Sequence, residues 1–305
     1  MPYRRLLLCL ALLAGAGAAR AQQFEPLIAP AREARRWATE SLSEQGTSFA
    51  PRSAWAALSS GSLDDLTALG ADYTQIFPST NGRIAAVVTW SRAVTSSNGA
   101  DLSARLSVRD ADGRELRSFA VEPLQAFDIS DDGRSVVAHG ETMARVMECG
   151  AWNTHLVFYD GEGRELARVE RGDFSPGIST TMLASAGLLV IGTTGRVVAY
   201  DLATGREAWV LPLDSTGDRP TVFATPDGRG VAVLAAAPPG PTRILRLDES
   251  GVARANLRLD GRVNAGSGVA FAQDLLVVEQ IEKNEVTYHL LDPRTLRTLR
   301  SVRAN

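Results

Sequence analysis

The chain has little of what most exported enzymes and metal proteins depend on. It contains two cysteines, Cys9 and Cys149, and only Cys149 lies beyond the N-terminal leader described below, which excludes an internal disulfide. The sequence has no H-E-x-x-H, G-x-S-x-G, Walker or C-x-x-C motif. No stretch reaches the roughly 20 consecutive apolar residues of a membrane-spanning helix, so we expect no transmembrane segment.

The first 21 residues have the features of a secretory signal peptide. Arg4 and Arg5 precede an apolar run at 6–13, and Ala19-Arg20-Ala21 is a small-x-small cleavage signature. We therefore expect an exported protein, periplasmic or secreted. Cleavage after Ala21 leaves 29 basic and 35 acidic residues and changes the formal net charge from −3 to −6. An acidic mature chain argues against nucleic acid as a partner.

Residues 22–73 differ in pattern from the rest of the chain. Small and apolar residues recur there at roughly helical spacing, and three prolines interrupt them. We predict a short N-terminal arm that is partly helical or irregular. Whether it is a tether or a docking arm stays open, and a sixth propeller blade built from it has no strand pattern in its support.

From residue 74 to residue 305 short β-runs alternate with turn residues. Five units repeat one outline: a short strand, a turn, a continuous apolar strand, and a third strand that ends on an aspartate. The terminal aspartates fall 50, 41, 47 and 44 residues apart, which is the length of a four-stranded propeller blade. They are Asp110, Asp160, Asp201, Asp248 and Asp292. The predicted fold is all-β, a β-propeller of about five four-stranded blades.

One unit is preserved well enough to suggest a family. Ala199-Tyr-Asp-Leu-Ala-Thr-Gly-Arg-Glu-Ala-Trp209 resembles the tryptophan-docking motif of quinoprotein-type (PQQ-like) propellers, A-x-D-x-x-T-G-K-x-x-W. Ile129-Ser-Asp-Asp-Gly-Arg and Ala224-Thr-Pro-Asp-Gly-Arg resemble the turns of WD40-like bacterial propellers of the Tol-associated and surface-layer types. The adjacent cysteines of the quinone-dependent dehydrogenases are absent. The resemblance therefore implies the non-catalytic scaffold branch, with no cofactor.

The physical chemistry of that unit is structural. The Asp201 carboxylate is suited to accept turn N–H groups, and Gly205 to adopt a positive φ. Trp209 offers a flat surface on which the neighbouring blade can pack. The Asp-Gly clusters around Asp110 and Asp132 fall at expected turns and form no complete calcium loop. We predict turns there and no metal site.

The longest link between a second and a third strand runs from residue 140 to residue 154. Exposed loops on a rigid scaffold commonly carry function, and arginine, tryptophan and methionine are typical of binding hot spots. An alternative is that this loop folds down over its own blade. The candidate binding residues are Arg145, Met147, Cys149 and Trp152.

We expect a binding or scaffold protein that engages another protein of the cell envelope or exterior. One alternative is a hydrolase or lyase acting on glycans or lactones, with carboxylates from several blades gathered at the central channel. Another is a small-ligand or metal sensor using His139, Cys149 and His155, of which the two histidines flank the same link.

Overall fold

The computed structural model describes residues 72–80, 82–94, 100–142, 154–171, 178–213, 220–236, 241–260, 262–263, 269–272, 275–282 and 285–304. The predicted signal peptide and all of the N-terminal arm up to residue 71 lie outside these ranges. Within them the secondary structure is 21 β-strands and one 3-10 turn, Ala184–Ala186. None of the described residues forms a helix long and apolar enough to span a membrane.

The strands form five antiparallel sheets in chain order, which we number as blades 1–5. Blade 1 contains β1 (Asp72–Pro78), β2 (Ile84–Val94), β3 (Ala100–Asp110) and β4 (Glu115–Val121), and blade 2 contains β5 (Leu124–Ile129), β6 (Ser135–Thr142), β7 (Thr154–Asp160) and β8 (Glu165–Arg171). Blade 3 contains β9 (Ser179–Leu183), β10 (Leu188–Thr193), β11 (Arg196–Asp201) and β12 (Glu207–Pro212), and blade 4 contains β13 (Thr221–Ala224), β14 (Gly230–Ala236), β15 (Thr242–Asp248) and β16 (Ala253–Leu259). Blade 5 contains β17 (Arg262–Val263), β18 (Val269–Ala272), β19 (Leu275–Glu282), β20 (Glu285–Leu291) and β21 (Thr298–Ala304).

Each sheet is a meander in which consecutive strands pair, and this confirms the predicted blades. In blade 5 the first-strand position is divided between β17 and β18, both paired with β19. β1 begins at Asp72, two residues before the predicted start of the propeller. The first strands of blades 1 to 4 contact one another in series, β1 with β5, β5 with β9 and β9 with β13. First strands that adjoin in this way place the blades side by side around an inner axis.

The second strands are buried on both faces, as their uninterrupted apolar sequences predicted. In β6, Val136 and Ala138 pack towards blade 1, whereas Val137 between them packs towards blade 3. In β10 all six residues are buried. Four hydrophobic clusters result, and each one joins two consecutive blades: 1 with 2, 2 with 3, 3 with 4 and 4 with 5. The core of this protein lies between its blades.

The aspartate that ends each third strand holds the turn that follows it. Asp201 Oδ1 accepts hydrogen bonds from the backbone N–H of Ala203 at 3.1 Å, the N–H of Thr204 at 2.8 Å and the Thr204 hydroxyl at 2.7 Å. The other four terminal aspartates likewise accept two backbone N–H groups each. The turn-capping role predicted for Asp201 is confirmed, and the structure shows the same role for the terminal aspartates of the other four blades.

The outermost strand of every blade contains a β-bulge at the same place. One residue is skipped in the pairing of the third strand with the fourth, just after the hairpin. Bulges twist an edge strand and reduce its tendency to pair with another chain. The bulged residues are Leu116, Leu166, Ala208, Arg254 and Leu299.

Candidate functional site

A half-open cleft of about 230 Å³ lies between blades 2 and 3. It opens on the side of the molecule that carries the hairpins between first and second strands and between third and fourth strands, which we call the hairpin face. Four hairpins, two from each blade, form its walls. The lining residues are Ser130, Asp132, Arg134, Ser135, Asp160, Leu166, Ala184, Gly187, Asp201, Leu202 and Ala203.

Hydrogen bonds hold the carboxylates of this cleft in place. The Ser130 hydroxyl donates to Asp132 Oδ1 at 2.7 Å, and the Arg134 N–H donates to the same oxygen at 2.9 Å. Partial burial favours the neutral acid, but these donors outweigh it and lower the pKa of Asp132. At Asp160 the N–H of Arg164 is the main cause of a lowered pKa. Both carboxylates are therefore anionic at neutral pH.

This electrostatic character limits what the cleft can do. A general acid at neutral pH requires a carboxyl group whose pKa is raised, and Asp132 and Asp160 are shifted in the opposite direction. Small-molecule sites usually enclose about 300–1,000 Å³, which is more than this cleft offers. Two of the carboxylates already have arginine neighbours, since Arg134 lies 4.0 Å from Asp132 and Arg164 lies 3.0 Å from Asp160. The lining still contains three aspartates and one arginine, and with Leu166, 36% exposed, in its wall the cleft fits a single basic side chain and its aliphatic stem.

Trp209 is a joint between blades, as its position in the repeat predicted. Its indole Nε1–H donates to the Glu249 carbonyl of blade 4 at 2.9 Å. Its ring lies against Gly251, which has φ +78° and where a built Cβ would come within 2.6 Å of the indole Cδ2. The half-buried ring therefore seals the junction between blades 3 and 4.

The four candidate binding residues of the longest link all lie outside the described residues, namely Arg145, Met147, Cys149 and Trp152. The structure describes the two strands that carry this link, β6 ending at Thr142 and β7 starting at Thr154. Because β6 and β7 are paired neighbours, the link starts and ends on the side opposite to the hairpin face, which we call the link face.

A buried histidine and a partly exposed aspartate, a pair that the sequence did not predict, lie at the junction of blades 2 and 3. His139 of β6 is 5% exposed, and its Nε2 lies 3.0 Å from Asp128 Oδ2 of β5. Thr180 Oγ1 of β9 lies 3.5 Å from the same nitrogen. The carboxylate and the hydroxyl both approach Nε2, whereas a catalytic relay of Asp, His and a hydroxyl uses a different ring nitrogen for each partner. The three side chains instead connect strands β5, β6 and β9 at the junction of the two blades.

The two histidines that flank the longest link do not face each other. His139 pairs with Leu156 and the adjacent Gly140 pairs with His155, so the two imidazoles extend from opposite faces of the sheet. His155 Nδ1 instead lies 3.9 Å from Glu170. Across the described ranges, no three His, Cys, Asp or Glu side chains are grouped so that they could hold a metal ion. The sensor alternative built on a histidine pair loses its geometric basis.

The inner strands determine whether carboxylates gather at the central axis. In β1, β5, β9 and β13 the acidic residues are Asp72 and Asp128, and Asp128 is already paired with His139. These four strands therefore do not bring several carboxylates together at the axis.

Hydroxyl groups on the same inner strands connect neighbouring blades. Ser179 accepts the N–H of Val222 at 3.0 Å, and Thr181 accepts the N–H of Ala224, also at 3.0 Å. These bonds join the inner strands of blades 3 and 4.

A second polar chain crosses blade 5. His289 Nε2 lies 2.6 Å from Gln280 Oε1, which can only accept, so Nε2 carries the proton. Nδ1 then accepts from the Ser301 hydroxyl at 2.9 Å. Burial lowers the pKa of His289 and keeps its ring neutral at pH 7. Ser301 lies exposed on the outermost strand, away from the cleft, so this chain ties β19, β20 and β21 together.

The known proteins that this chain is similar to are solved structures, and the similarity is one of structure rather than of sequence. No family model matches the chain, and no curated protein does. TolB from Acinetobacter baumannii is 12% identical over 77% of this chain and 55% of its own, with a TM-score of 0.43. A eukaryotic initiation factor is 11% identical over 76% and 54%, with a TM-score of 0.49. BamB from Moraxella catarrhalis is 15% identical over 77% and 66%, with a TM-score of 0.42.

The chain spans about half to two thirds of the length of these solved structures. The fold assignment rests on the chain's own sheets, since four four-stranded sheets and one five-stranded sheet follow one another and are joined by hydrophobic clusters between neighbours. By this architecture the described residues form five blades of a β-propeller fold.

Proposed function

We propose that this protein is an exported binding scaffold that engages another protein of the cell envelope or exterior. The observation that carries the proposal is the cleft of about 230 Å³ between blades 2 and 3, whose lining contains more aspartates than arginines. Its carboxylates are held by turn N–H groups and hydroxyls, so the cleft is formed before any partner arrives. Preorganised groups of this kind reduce the ordering cost of association.

The cleft favours a partner that presents an arginine or a lysine. The charged residues that line the cleft are three aspartates, Asp132, Asp160 and Asp201, and one arginine, Arg134, so the lining carries an excess of negative charge. Leu166 offers an apolar contact for the methylene groups of the basic side chain. The charged end of the partner's arginine or lysine would then lie near the aspartates of the cleft, and its methylene groups would lie against Leu166.

The link face is a second candidate surface. The sequence places Arg145, Met147, Cys149 and Trp152 on its longest link, and this composition is typical of a hot spot. Support from the described residues is limited to the position of the link, which is carried by β6 and β7. The two surfaces lie on opposite sides of the disc, so single substitutions separate them.

The experiment is a pull-down from periplasmic extract with mature protein on a support. Leu166→Arg adds bulk and positive charge at the cleft, and Leu116→Arg is its matched control, because Leu116 occupies the same bulge position in blade 1 and is 50% exposed. We expect Leu166→Arg to reduce recovery of the partner at least tenfold and Leu116→Arg to leave it unchanged. Arg145→Ala and Trp152→Ala test the link face in the same assay.

Each outcome is decisive for one part of the proposal. Loss of the partner with Trp152→Ala alone would keep the scaffold function and move the site to the link face. Recovery of no protein partner by the wild type, together with tight binding of a small molecule, would overturn the scaffold function. Export is tested separately, by intact mass of the periplasmic protein, for which we expect an N-terminus at Gln22.

A further inference from the structure

Blade 1 has one face turned away from blade 2, and blade 5 has one face turned away from blade 4; we call these the terminal faces. Buried side chains on both terminal faces belong to none of the four clusters between consecutive blades. Almost every buried apolar side chain belongs to one of the four clusters between consecutive blades. Of the six that do not, five lie on these two faces, and the sixth is Ala235. The five are Ala85 and Val87 of blade 1 and Val277, Tyr288 and Leu290 of blade 5.

Strand register assigns these residues to the outward-turned faces. In β19, Leu276 and Val278 pack towards blade 4, so Val277 between them points away from blade 4. Tyr288 pairs with Glu279, and Leu290 pairs with Val277, which places all four on the same face. By the same alternation, Ala85 and Val87 of β2 face away from blade 2. In a closed five-membered ring these two faces would meet.

The face of blade 1 is unsuited to an ordinary blade junction. At the corresponding third-strand positions, blades 2, 3 and 4 present buried apolar or aromatic side chains to the preceding blade. Blade 1 instead carries a polar network there. Ser107 donates to Glu115 at 2.8 Å, Arg109 lies 3.3 Å from the same carboxylate, and exposed Arg105 bonds the Ser118 hydroxyl at 2.7 Å.

The contact between a fourth-strand side chain and a hairpin glycine, which Trp209 and Gly251 make at the junction of blades 3 and 4, has no counterpart at blade 1 among the described residues. In blades 2, 3 and 4 a fourth-strand side chain of the preceding blade rests on the glycine of the hairpin between third and fourth strands. The equivalent glycine of blade 1 is Gly113, and no atom of the described residues comes within 4 Å of a Cβ built there. Among the described residues, none takes at Gly113 the place that Trp209 and its counterparts take at the other junctions.

Blade 5 is covered more completely than blade 1. Tyr288 and Leu290 of its third strand are each 2% exposed, and the Glu279 side chain of its second strand is 0% exposed. The material that covers blade 5 must therefore bring apolar groups that keep water away from these side chains.

We propose that residues 22–71 of this chain pack on the terminal face of blade 5 and complete the ring between blades 5 and 1. The segment has 50 residues, the length of the longest repeat, and leads directly into β1 at Asp72. It brings apolar side chains, among them Trp37, Trp55 and Leu58.

The test is site-specific photo-crosslinking in the full mature chain. Val302 of β21 pairs with Tyr288 and so lies on the terminal face, half-buried. p-Benzoyl-phenylalanine is placed at 302, the protein is irradiated, and the crosslinked peptides are identified by mass spectrometry. The matched control is position 257, because Leu257 of β16 packs in the cluster between blades 4 and 5. The control is expected to crosslink to peptides of blade 5.

We expect the probe at 302 to crosslink within the same molecule to peptides from residues 22–71. Crosslinks from 302 to peptides of 72–121 would show that blade 1 closes the ring directly and would overturn the proposal. Crosslinked dimers would show that a second copy covers the face and would also overturn it. So would the absence of a product at 302 under conditions in which the control at 257 reacts.

Discussion

Trp209 of blade 3 rests on Gly251 of blade 4, so closely that a Cβ on that glycine would lie 2.6 Å from the indole Cδ2. The contact is one of a series, because a fourth-strand side chain meets a hairpin glycine of the next blade at three consecutive junctions. The equivalent pairs are Phe119 with Gly163 and Ala167 with Gly205. The motif that resembles a cofactor-family signature is thus the best-preserved copy of a structural joint.

Gly251→Ala is expected to destabilise the protein more than Gly113→Ala. Both glycines have a positive φ, +78° and +80°, so each substitution carries about 1–2 kcal/mol of backbone strain. At Gly251 the new methyl group also collides with Trp209, which adds about 1–3 kcal/mol of overpacking. Denaturant unfolding gives the comparison, and equal losses for the two variants would contradict a tight joint at Gly251.

Leu296 provides a second test of the joint between blades, because we expect its glycine variant to be more stable than its alanine variant. It has φ 55° and occupies the place that Gly205 has in blade 3, with its N–H donating to the Asp292 carbonyl as that of Gly205 does to Asp201. It is nevertheless buried, so truncation costs about 2–5 kcal/mol. Glycine then relieves about 1–2 kcal/mol of left-handed strain that alanine keeps.

We therefore expect the free energy of unfolding to fall in the order wild type, Leu296→Gly, Leu296→Ala. Chemical denaturation at pH 7 measures it. A Leu296→Ala variant as stable as Leu296→Gly would mean that the backbone at 296 is unstrained.

The turn aspartates make stability depend on acid pH. Burial opposes ionisation of Asp248, but hydrogen bonds from the Ser250 hydroxyl, the Val252 N–H and Arg254 outweigh it and lower its pKa to about 2. A carboxyl whose pKa falls on folding stabilises the protein above its unfolded pKa of about 3.9, and this contribution is lost as pH falls towards 2. Asp248→Asn removes that dependence.

The expected result is a lower denaturation midpoint for Asp248→Asn at pH 7 and convergence with the wild type between about pH 4 and pH 2. Midpoints measured at several pH values across this window provide the comparison. A difference between the two proteins that stays constant from pH 7 to pH 2 would contradict the carboxylate's role.

The sequence was sufficient for features that depend on neighbouring residues. A terminal aspartate and the turn after it lie within about five positions, so capping by Asp201 and its four counterparts could be predicted from chemistry alone. The continuous apolar runs predicted burial of the second strands on both faces, and in blades 2, 3 and 4 each second strand is packed between two neighbouring blades.

Contacts between blades were harder to predict because their partners lie about 40 residues apart. Nothing local indicates that Ala167 meets Gly205, or that Thr180 approaches His139. One local feature of the sequence does indicate an unusual blade face. In β3, Arg105, Ser107 and Arg109 alternate with apolar residues, whereas the third strands of blades 2 and 3 are largely apolar on both faces. That alternation marks the face of blade 1 that no ordinary junction covers.

The central claim, that the tryptophan motif forms a joint between blades and that Trp209 is not itself a binding residue, is tested most directly at Trp209. We predict that Trp209→Ala lowers the free energy of unfolding by about 2–4 kcal/mol, because the half-buried ring leaves a gap between blades 3 and 4. Trp209→Phe, which loses the hydrogen bond to Glu249 and keeps a ring, should cost about 1 kcal/mol. Recovery of the protein partner by folded Trp209→Ala should equal that of the wild type. Unchanged stability together with loss of the partner would contradict the claim and make Trp209 a binding residue.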